Sequence, residues 1–448
     1  MAGQRRLPIT NTALKAAMTA AALPYARIAE VINLVGHENG VPLYYGRSTV
    51  AHWLTGTTPR PESIAVVVEA FARLLDRPDL TAGDLGWSHA EPARPDDPWD
   101  GDPVAWLTRL GKDDMLDRRS LLRGSLYSLT ALGLPAPPWP APARSGTPRR
   151  TGASDVARVE EMTSRFAAAD DLFGGGHART AVAAYLVNDV VPMLHGSSGR
   201  ARPALFAAAA RLAYLAGFMN ADAGHAGQAQ RYYVQSARLG READDVVAQA
   251  TALRALALQA SELDHPAQAV ELAESAAATL NDRADTRIRA WMQGMLAEAH
   301  AANGEGRQAL GRLRQAEALV ERADSTPASE WTGGYGREAL EHQTGSILMR
   351  LADPRAAEEH FRLSIVSRPP NERRSKVLIT ARLATAQLRD GHPEKSARTV
   401  LGIRDDIALV SSHRAVRHFR ELRTGWARAR SESVVQRADD FLVRAVSG

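Results

Sequence analysis

The 448-residue chain contains no cysteine, which excludes disulfide bonds, thiolate metal sites, cysteine nucleophiles and thiol redox switches. Long apolar runs are also missing: no stretch approaches the ~18 uninterrupted apolar residues of a membrane-spanning helix. The first residues, MAGQRRLPITNTALKAAM, lack the apolar core and small-residue cleavage site of a signal peptide. We therefore expect a cytoplasmic protein without a membrane partner.

The usual motifs of enzymes and metal sites are missing as well. The 13 histidines form no HExxH motif or close ligand pair, and there is no Gly-x-Ser-x-Gly elbow. The run Gly174–Gly176 lacks a phosphate-loop pattern and predicts a turn between two helices. The pairs Asp170-Asp171 and Asp405-Asp406 are adjacent in sequence, so their side chains should diverge on a helix and be solvated. No enzymatic activity, metal or cofactor is predicted.

The chain has only a small excess of positive charge: it contains 55 Lys and Arg and 51 Asp and Glu, for a formal net charge of +4. Any contact with nucleic acid must therefore come from a local basic patch. Residues 1–60 provide one, with six Lys or Arg and two Glu.

Proline divides the chain. Residues 86–150 hold 10 of the 24 prolines, which predicts an extended connector because proline disfavours helix and removes a hydrogen-bond donor. We expect three parts: a small N-terminal domain (1–86), a Pro-rich linker (87–153) and a long C-terminal domain (154–448). One amphipathic helix, between Met115 and Leu134, is expected inside the linker.

The C-terminal part is rich in Ala, Leu and Arg, with apolar residues recurring every three or four positions, and so predicts an all-α domain. It also repeats. Five turn-like breaks are each followed by an alanine-centred helix start, and the aligned alanines lie 40, 40, 48 and 40 residues apart: Ala229, Ala269, Ala309, Ala357 and Ala397. This period is typical of helical-hairpin arrays such as tetratricopeptide repeats, whose concave face suits extended ligands. The alternative is an irregular helical bundle.

The N-terminal part contains four helical segments, of which RSTVAHWLTG is the most informative. Val50, Trp53 and Leu54 share one face and should be buried, as in a helix-turn-helix unit. The polar residues that remain could read base edges in the major groove: Arg47, Ser48, Thr49, His52 and Thr55. The alternative is that Ser48 only caps the helix and His52 is an ordinary surface residue.

The run GRSTVAHWLTGTTPRP, followed by RPDLTAGDLGW, closely resembles the N-terminal module of Xre-type helix-turn-helix regulators from actinobacteria that carry a C-terminal tetratricopeptide-like domain. LAYLAGFMNADAGHAGQAQRYYVQSARLGREADD and ASEWTGGYGREALEHQTG resemble parts of that domain. The resemblance implies double-stranded DNA as a partner of the front module, and a ligand, peptide or protein effector of the array. Residues 47–55 would form the recognition helix; Tyr25 and Arg27 belong to the expected DNA-binding set, Arg27 as a sequence-independent contact.

Within the array, Trp291 and Trp331 are the best candidates to line the concave groove, and Arg254 or Asn188 could hold a peptide backbone or carboxylate. Tyr185 completes this predicted ligand groove.

The segment beginning at Arg118-Arg119 resembles a twin-arginine export signal but is interpreted as an amphipathic linker helix, with export as the alternative. The basic ridge Arg414, Arg417, Arg420 and Arg423 predicts a solvated helix that caps the array, with a phosphate or acidic partner as a secondary interpretation.

These observations predict a homodimeric, sequence-specific transcription regulator with a helical-repeat sensor. The alternative is a repeat scaffold whose N-terminal module docks a protein.

Overall fold

A computed structural model of the chain describes residues 8–39, 41–77, 79–87, 97–115, 126–133, 151–280, 284–323 and 334–446. These residues form α-helices joined by short 3-10 and π turns and include no strand, which confirms the predicted all-α fold class.

The N-terminal module consists of α1 (Thr12–Ala20), α2 (Tyr25–Glu38), α3 (Arg47–Trp53) and α4 (Pro61–Leu75), followed by a 3-10 turn. Helix α1 is capped by Asn11, whose side-chain oxygen accepts a hydrogen bond from the backbone N–H of Leu14 (2.9 Å). Helix α2 continues through Gly36 to Glu38, although a glycine often ends a helix. This glycine instead permits a close chain contact, because a Cβ atom there would lie 2.6 Å from the carbonyl oxygen of Val41.

Part of the segment predicted as an extended connector is folded against the repeats. It contains α5 (Pro103–Met115), which packs on the array through Leu107 and Leu110. Side chains of the array donate hydrogen bonds to two backbone carbonyls of this segment. Gln235 Nε2 donates to Pro98 O (2.7 Å), and Gln228 Nε2 donates to Leu110 O (2.9 Å). These donors give hydrogen-bond partners to backbone carbonyls both before α5 and within it, and so hold this part of the segment against the array.

The described linker helix, α5, lies before the predicted one. The predicted helix between Met115 and Leu134 lies partly outside the described residues, and Arg118-Arg119 lies wholly outside them. Its described part, residues 126–133, contains only the short 3-10 turn Thr130–Leu132.

The C-terminal domain begins with α6 (Ala153–Phe173) and α7 (Gly175–Tyr185), joined at Gly174 as predicted for the glycine run, and α7 leads through a π turn into α8 (Val191–Gly196). Five consecutive helical hairpins follow: α9 (Ala201–Asp222) with α10 (Ala226–Glu242), α11 (Val246–Glu262) with α12 (Pro266–Thr279), α13 (Thr286–Ala302) with α14 (Gly306–Arg322), α15 (Arg337–Arg350) with α16 (Pro354–Ser367), and α17 (Arg373–Arg389) with α18 (Pro393–Leu401). The chain ends with α19 (Arg404–Ile407), α20 (His413–Gly425) and α21 (Ser433–Val446).

The predicted repeat is confirmed in the five hairpins. Each aligned alanine lies near the start of the second helix of a hairpin and is completely buried, with 0% of its surface exposed. A short side chain at this point lets the two helices of the hairpin approach closely. In every hairpin the turn just before contains one residue with positive φ: Gly224, Asp264, Gly304, Ala352 and Gly391.

The last helices of the C-terminal domain contact its first helices. The N–H of Ser411 donates to the carbonyl of Phe173 (2.7 Å), and Ser412 Oγ donates to Asp222 (2.6 Å). Arg374 of α17 also forms an ion pair with Asp170 of α6 (3.1 Å). The face of the first helices of the hairpins, α9, α11, α13, α15 and α17, thus becomes an inner surface.

Two sequence expectations are corrected by this closure. Asp170 is buried rather than solvated, because the return of α17 covers it and supplies Arg374 as its partner. Asp171 also contacts Arg374, whereas Asp405 is exposed as expected.

The predicted solvated ridge on α20 is wrong at its first residue. Arg414 is buried and forms an ion pair with Glu262 of α11, because residues spaced by three drift around the helix and this position faces the array. Arg423 pairs with Asp439 of α21 (2.6 Å).

Among the described residues, one helix, α9, is long and apolar enough to cross a membrane. However, 72% of its apolar window is buried against the rest of the protein, as in a core helix of a globular fold.

We expect Ala352→Gly to raise the free energy of unfolding by about 0.5–1 kcal/mol. Ala352 adopts a left-handed conformation (φ 61°), which strains an alanine but not a glycine. The greater conformational freedom of glycine in the unfolded chain offsets part of this gain. Ala352 is exposed, so no packing is lost. Urea unfolding measures the effect, with Ala318→Gly inside α14 as the matched control, which should lose about 1 kcal/mol. Equal losses in both variants would contradict the assignment.

Candidate functional site

The outward edge of α3 carries polar side chains that are open to solvent. Arg47, Ser48 and His52 are exposed, and Thr49 and Thr55 are half-buried. On the opposite side, Val50 and Trp53 are buried with 0% and 3% exposure. Arg47 forms no hydrogen bond or ion pair with the part of the chain that the structure describes. This short helix therefore presents a free edge of donors and acceptors.

Helix α3 is anchored from below by an aromatic cluster. The ring of Trp53 meets the rings of Tyr45 and Trp87 edge-on, at centroid distances of 5.2 and 6.0 Å. Leu54 is buried beside them, and its carbonyl accepts hydrogen bonds from the N–H groups of Thr10 (2.8 Å) and Asn11 (3.1 Å). The end of α3 is thereby tied to the start of the domain.

The loop before α3 is held by one asparagine. Asn33 of α2 donates to the carbonyl of Tyr45 and accepts from its N–H, both at 2.8 Å. This pair of bonds mimics a strand pairing and fixes the approach of the chain to α3. Asn33 is not predictable from the sequence, since a lone asparagine in a helix carries no local signal of a distant backbone partner.

The alternative role of Ser48 as a helix cap does not hold. Helix α3 begins at Arg47, and its capping residue is Gly46, whose extended backbone (φ −120°, ψ 177°) makes no side-chain cap. Ser48 lies inside the first turn with its side chain exposed.

Tyr25 and Arg27 lie in the first turn of α2. Tyr25 is half-buried and its hydroxyl is 3.4 Å from Lys15 Nζ, while Arg27 is exposed and pairs with the exposed Glu30. Tyr44, which the sequence analysis missed, is 90% exposed directly before α3. The exposure of Tyr44 could have been inferred from its place between Leu43 and Tyr45, because alternate side chains of an extended segment point to opposite sides and only the middle one points outward here.

A polar cluster connects this module to the array. Residues 126–129, which we call the docking segment, lie between them. Asn39, which directly follows α2, accepts from the N–H of Tyr127 (2.5 Å), and Glu69 of α4 accepts from the N–H of Leu129 (3.1 Å). Gln230 of α10 accepts from the N–H of Ser128 (2.9 Å) and donates to its carbonyl (2.7 Å).

Charge reinforces the same junction. Arg73 of α4 pairs with Glu38 and Glu69, both at 2.8 Å, and Glu38 is 3.3 Å from Nε2 of His265 in the α11–α12 turn. Tyr127 stacks on the His265 ring (5.8 Å, 12°). Burial alone would raise the pKa of Glu38, but the contacts with His265 and Arg73 hold this pKa below its ordinary value. Glu38 is therefore held in its ionised form beside Arg73 at this junction.

The residues predicted to line the ligand groove separate into three groups. Arg254 of α11 and Trp291 of α13 come together on the inner surface, with the guanidinium 4.0 Å from the indole centroid. Tyr185 and Asn188 lie instead at the end of α7 and in the π turn that follows it, where Tyr185 packs on Phe166 and Asn188 is exposed. Trp331 lies outside the described residues.

The inner surface around Arg254 is rich in charged and aromatic groups. Gln343 donates to Glu298 (3.0 Å), and Arg382 donates to His342 (2.9 Å) and Ser346 (2.8 Å). Burial, with the charge of Arg382, lowers the pKa of His342 well below its ordinary value, so the ring is a neutral acceptor. Burial alone would raise the pKa of Glu262, but Arg414, Arg417 and Arg382 lower it.

Neither site contains a metal-binding arrangement within the described ranges, where no three His, Asp or Glu side chains are grouped as a metal ion requires.

Comparison with known families yields one match: residues 14–88 are similar to a family described as the SP15 N-terminal domain. The matched segment begins within α1 and extends through α4 to just beyond Trp87. No match was found among curated proteins.

We expect Glu38→Gln to lower the free energy of unfolding by about 1–3 kcal/mol at neutral pH, because the amide keeps the shape but loses the charge facing Arg73. The folded-state pKa of Glu38 is depressed, so its ionised form stabilises the fold. The wild-type advantage should be complete above pH 4.5, the ordinary value, and decrease as the pH falls through the lower folded-state pKa.

Urea unfolding of both proteins at several pH values measures this difference. Glu30→Gln, at an exposed ion pair, is the control and should change stability by less than about 0.5 kcal/mol. A wild-type advantage that is the same at pH 3 as at pH 7 would contradict the role of the Glu38 charge.

Proposed function

We propose that this protein is a sequence-specific, DNA-binding transcription regulator whose helical-repeat domain senses an effector. The observation that carries the proposal is the exposed polar edge of α3, held in place by the buried Trp53. A recognition helix needs this division, because its N-terminal side chains must enter the major groove while its opposite face stays packed in the domain.

The chemistry of the edge fits base reading. The guanidinium of Arg47 can pair with both acceptors of a guanine, and Ser48, Thr49 and neutral His52 can each make a single bond to a base edge. An unpaired Arg47 loses no ion pair on binding DNA. Thr55 lies at the end of α3, and its hydroxyl already donates to the carbonyl of His52 (2.9 Å).

Contacts to the DNA backbone are assigned to α2 and the adjoining loop. Arg27 is exposed, and its pairing with Glu30 is an exposed i, i+3 ion pair that costs little to break. The hydroxyl groups of Tyr25 and Tyr44 can donate to phosphate oxygens, which position a protein without reading sequence.

The docking segment supplies a physical route between effector and DNA. Because Tyr127 contacts α2 on one side and His265 of the array on the other, a change in the array alters the support of the module. As a homodimer the regulator would bind two half-sites separated by about one helical turn of DNA, roughly 34 Å, or a multiple of it.

A mobility-shift assay of the full chain on its own upstream DNA tests the proposal. Retardation that is selective for sequence and sensitive to salt supports it. Failure to retard any DNA, together with specific capture of a protein by residues 1–86, would favour a repeat scaffold whose N-terminal module docks a protein.

We expect Arg47→Ala to weaken binding to the operator by about 1–3 kcal/mol and to leave binding to random DNA nearly unchanged. Arg27→Ala should weaken both equally, as the loss of a phosphate contact does. Fluorescence anisotropy on labelled duplexes measures the affinities. Arg398→Ala, at an exposed arginine of α18 in the array, is the matched control and should change neither. An equal loss on operator and random DNA for Arg47→Ala would remove its reading role.

A further inference from the structure

Arg254 is a buried cation without a polar partner. Only 8% of its surface is exposed, and its Nε atom is buried with no hydrogen-bond acceptor. Across the described residues it forms no hydrogen bond or ion pair, and its one specific contact is the face of Trp291. A guanidinium remains charged in proteins, so its burial is costly unless something compensates it.

The other arginines directed at the inner surface are all compensated. Arg374 pairs with Asp170, Arg414 with Glu262, and Arg382 donates to His342 and Ser346. Arg350 donates to the carbonyl and hydroxyl of Ser261 (3.2 and 3.1 Å). Arg254 is the exception within the described part of this surface.

Two described carboxylates of the inner surface already have partners. Glu298 is near enough to influence Arg254 electrostatically, yet it accepts from Gln343, which in turn accepts from the hydroxyl of Tyr335 (2.6 Å). Glu262 is occupied by Arg414. Within the described residues, Arg254 is thus left without an anionic partner.

We propose that Arg254 and Trp291 form the anchor of a binding site for the oxyanion group of an effector, a carboxylate or a phosphate. The planar fork of a guanidinium pairs with both groups through two parallel hydrogen bonds, and the stacked indole fixes its plane. Burial within the array strengthens such a pair relative to one in water. The site deepens the proposed sensor function and rests on it.

The location connects this anchor to the DNA-binding module. Arg254 lies on α11, about 12 Å from the end of that helix at 1.5 Å per residue. The turn that follows contains His265, which contacts both Glu38 and Tyr127 at the junction. An anion bound to Arg254 would therefore act on α11, the helix that leads into the turn with His265.

The ligand-free protein gives the first test. We expect Arg254→Met to keep or raise the thermal midpoint, because an uncompensated charge is replaced by an apolar chain of similar length. Arg374→Met, which removes the partner of Asp170, is the matched control and should lower it. A drop for Arg254→Met as large as for the control would show that Arg254 serves the fold, and would overturn the proposal.

The second test measures binding to the full chain by ligand-observed NMR, with benzoate, phenyl phosphate and the neutral isostere benzamide as probes. We expect saturable binding of benzoate, phenyl phosphate or both, at least tenfold weaker binding of benzamide, and a loss of at least tenfold for the anions in Arg254→Met. Stronger binding of benzoate would identify a carboxylate ligand, and stronger binding of phenyl phosphate a phosphate ligand. Absence of saturable anion binding to the wild type, or equal binding to the variant, would overturn the site.

These measurements need no DNA, so they separate the two proposals. If anion binding fails while operator binding persists, only the site is rejected; if operator binding fails while anion binding persists, only the DNA-binding role is rejected.

Discussion

Close contact between the two helices of each hairpin is the interaction on which the structure depends. It is possible because a completely buried alanine stands at the same point of five successive hairpins, from Ala229 to Ala397. A larger side chain there would separate the helices and alter the angle between one hairpin and the next. The repeated geometry lets the array turn until its last hairpins meet the first, and so creates the inner surface.

Closure of the array explains why so many charged side chains are buried. Arg374 meets Asp170 and Arg414 meets Glu262 across more than a hundred residues of sequence, and each carboxylate would be costly to bury without its arginine. Arg254 differs from them in facing an aromatic ring and no carboxylate. That contrast distinguishes the arginines that hold the fold from Arg254, for which we propose an effector as partner.

The docking segment joins two regions of different chemistry. On the side of the N-terminal module, Asn39 and Glu69 bind its backbone; on the side of the array, Gln230 and His265 hold Ser128 and Tyr127. A module attached in this way is supported by polar bonds with defined directions, which makes its orientation sensitive to small shifts of the array. The free edge of α3 and the inner surface are therefore parts of one connected structure.

Local patterns in the sequence determined the helices of the N-terminal module, the inward placement of Val50 and Trp53, and the period of the hairpins. Each depends on residues a few positions apart, where helix geometry leaves little choice. Tertiary structure alone decided the burial of Asp170, the pairing of Arg414, the role of Asn33 and the meeting of Arg254 with Trp291. These depend on chain segments brought together from far apart, and a residue's neighbours in sequence do not reveal which distant group will cover it.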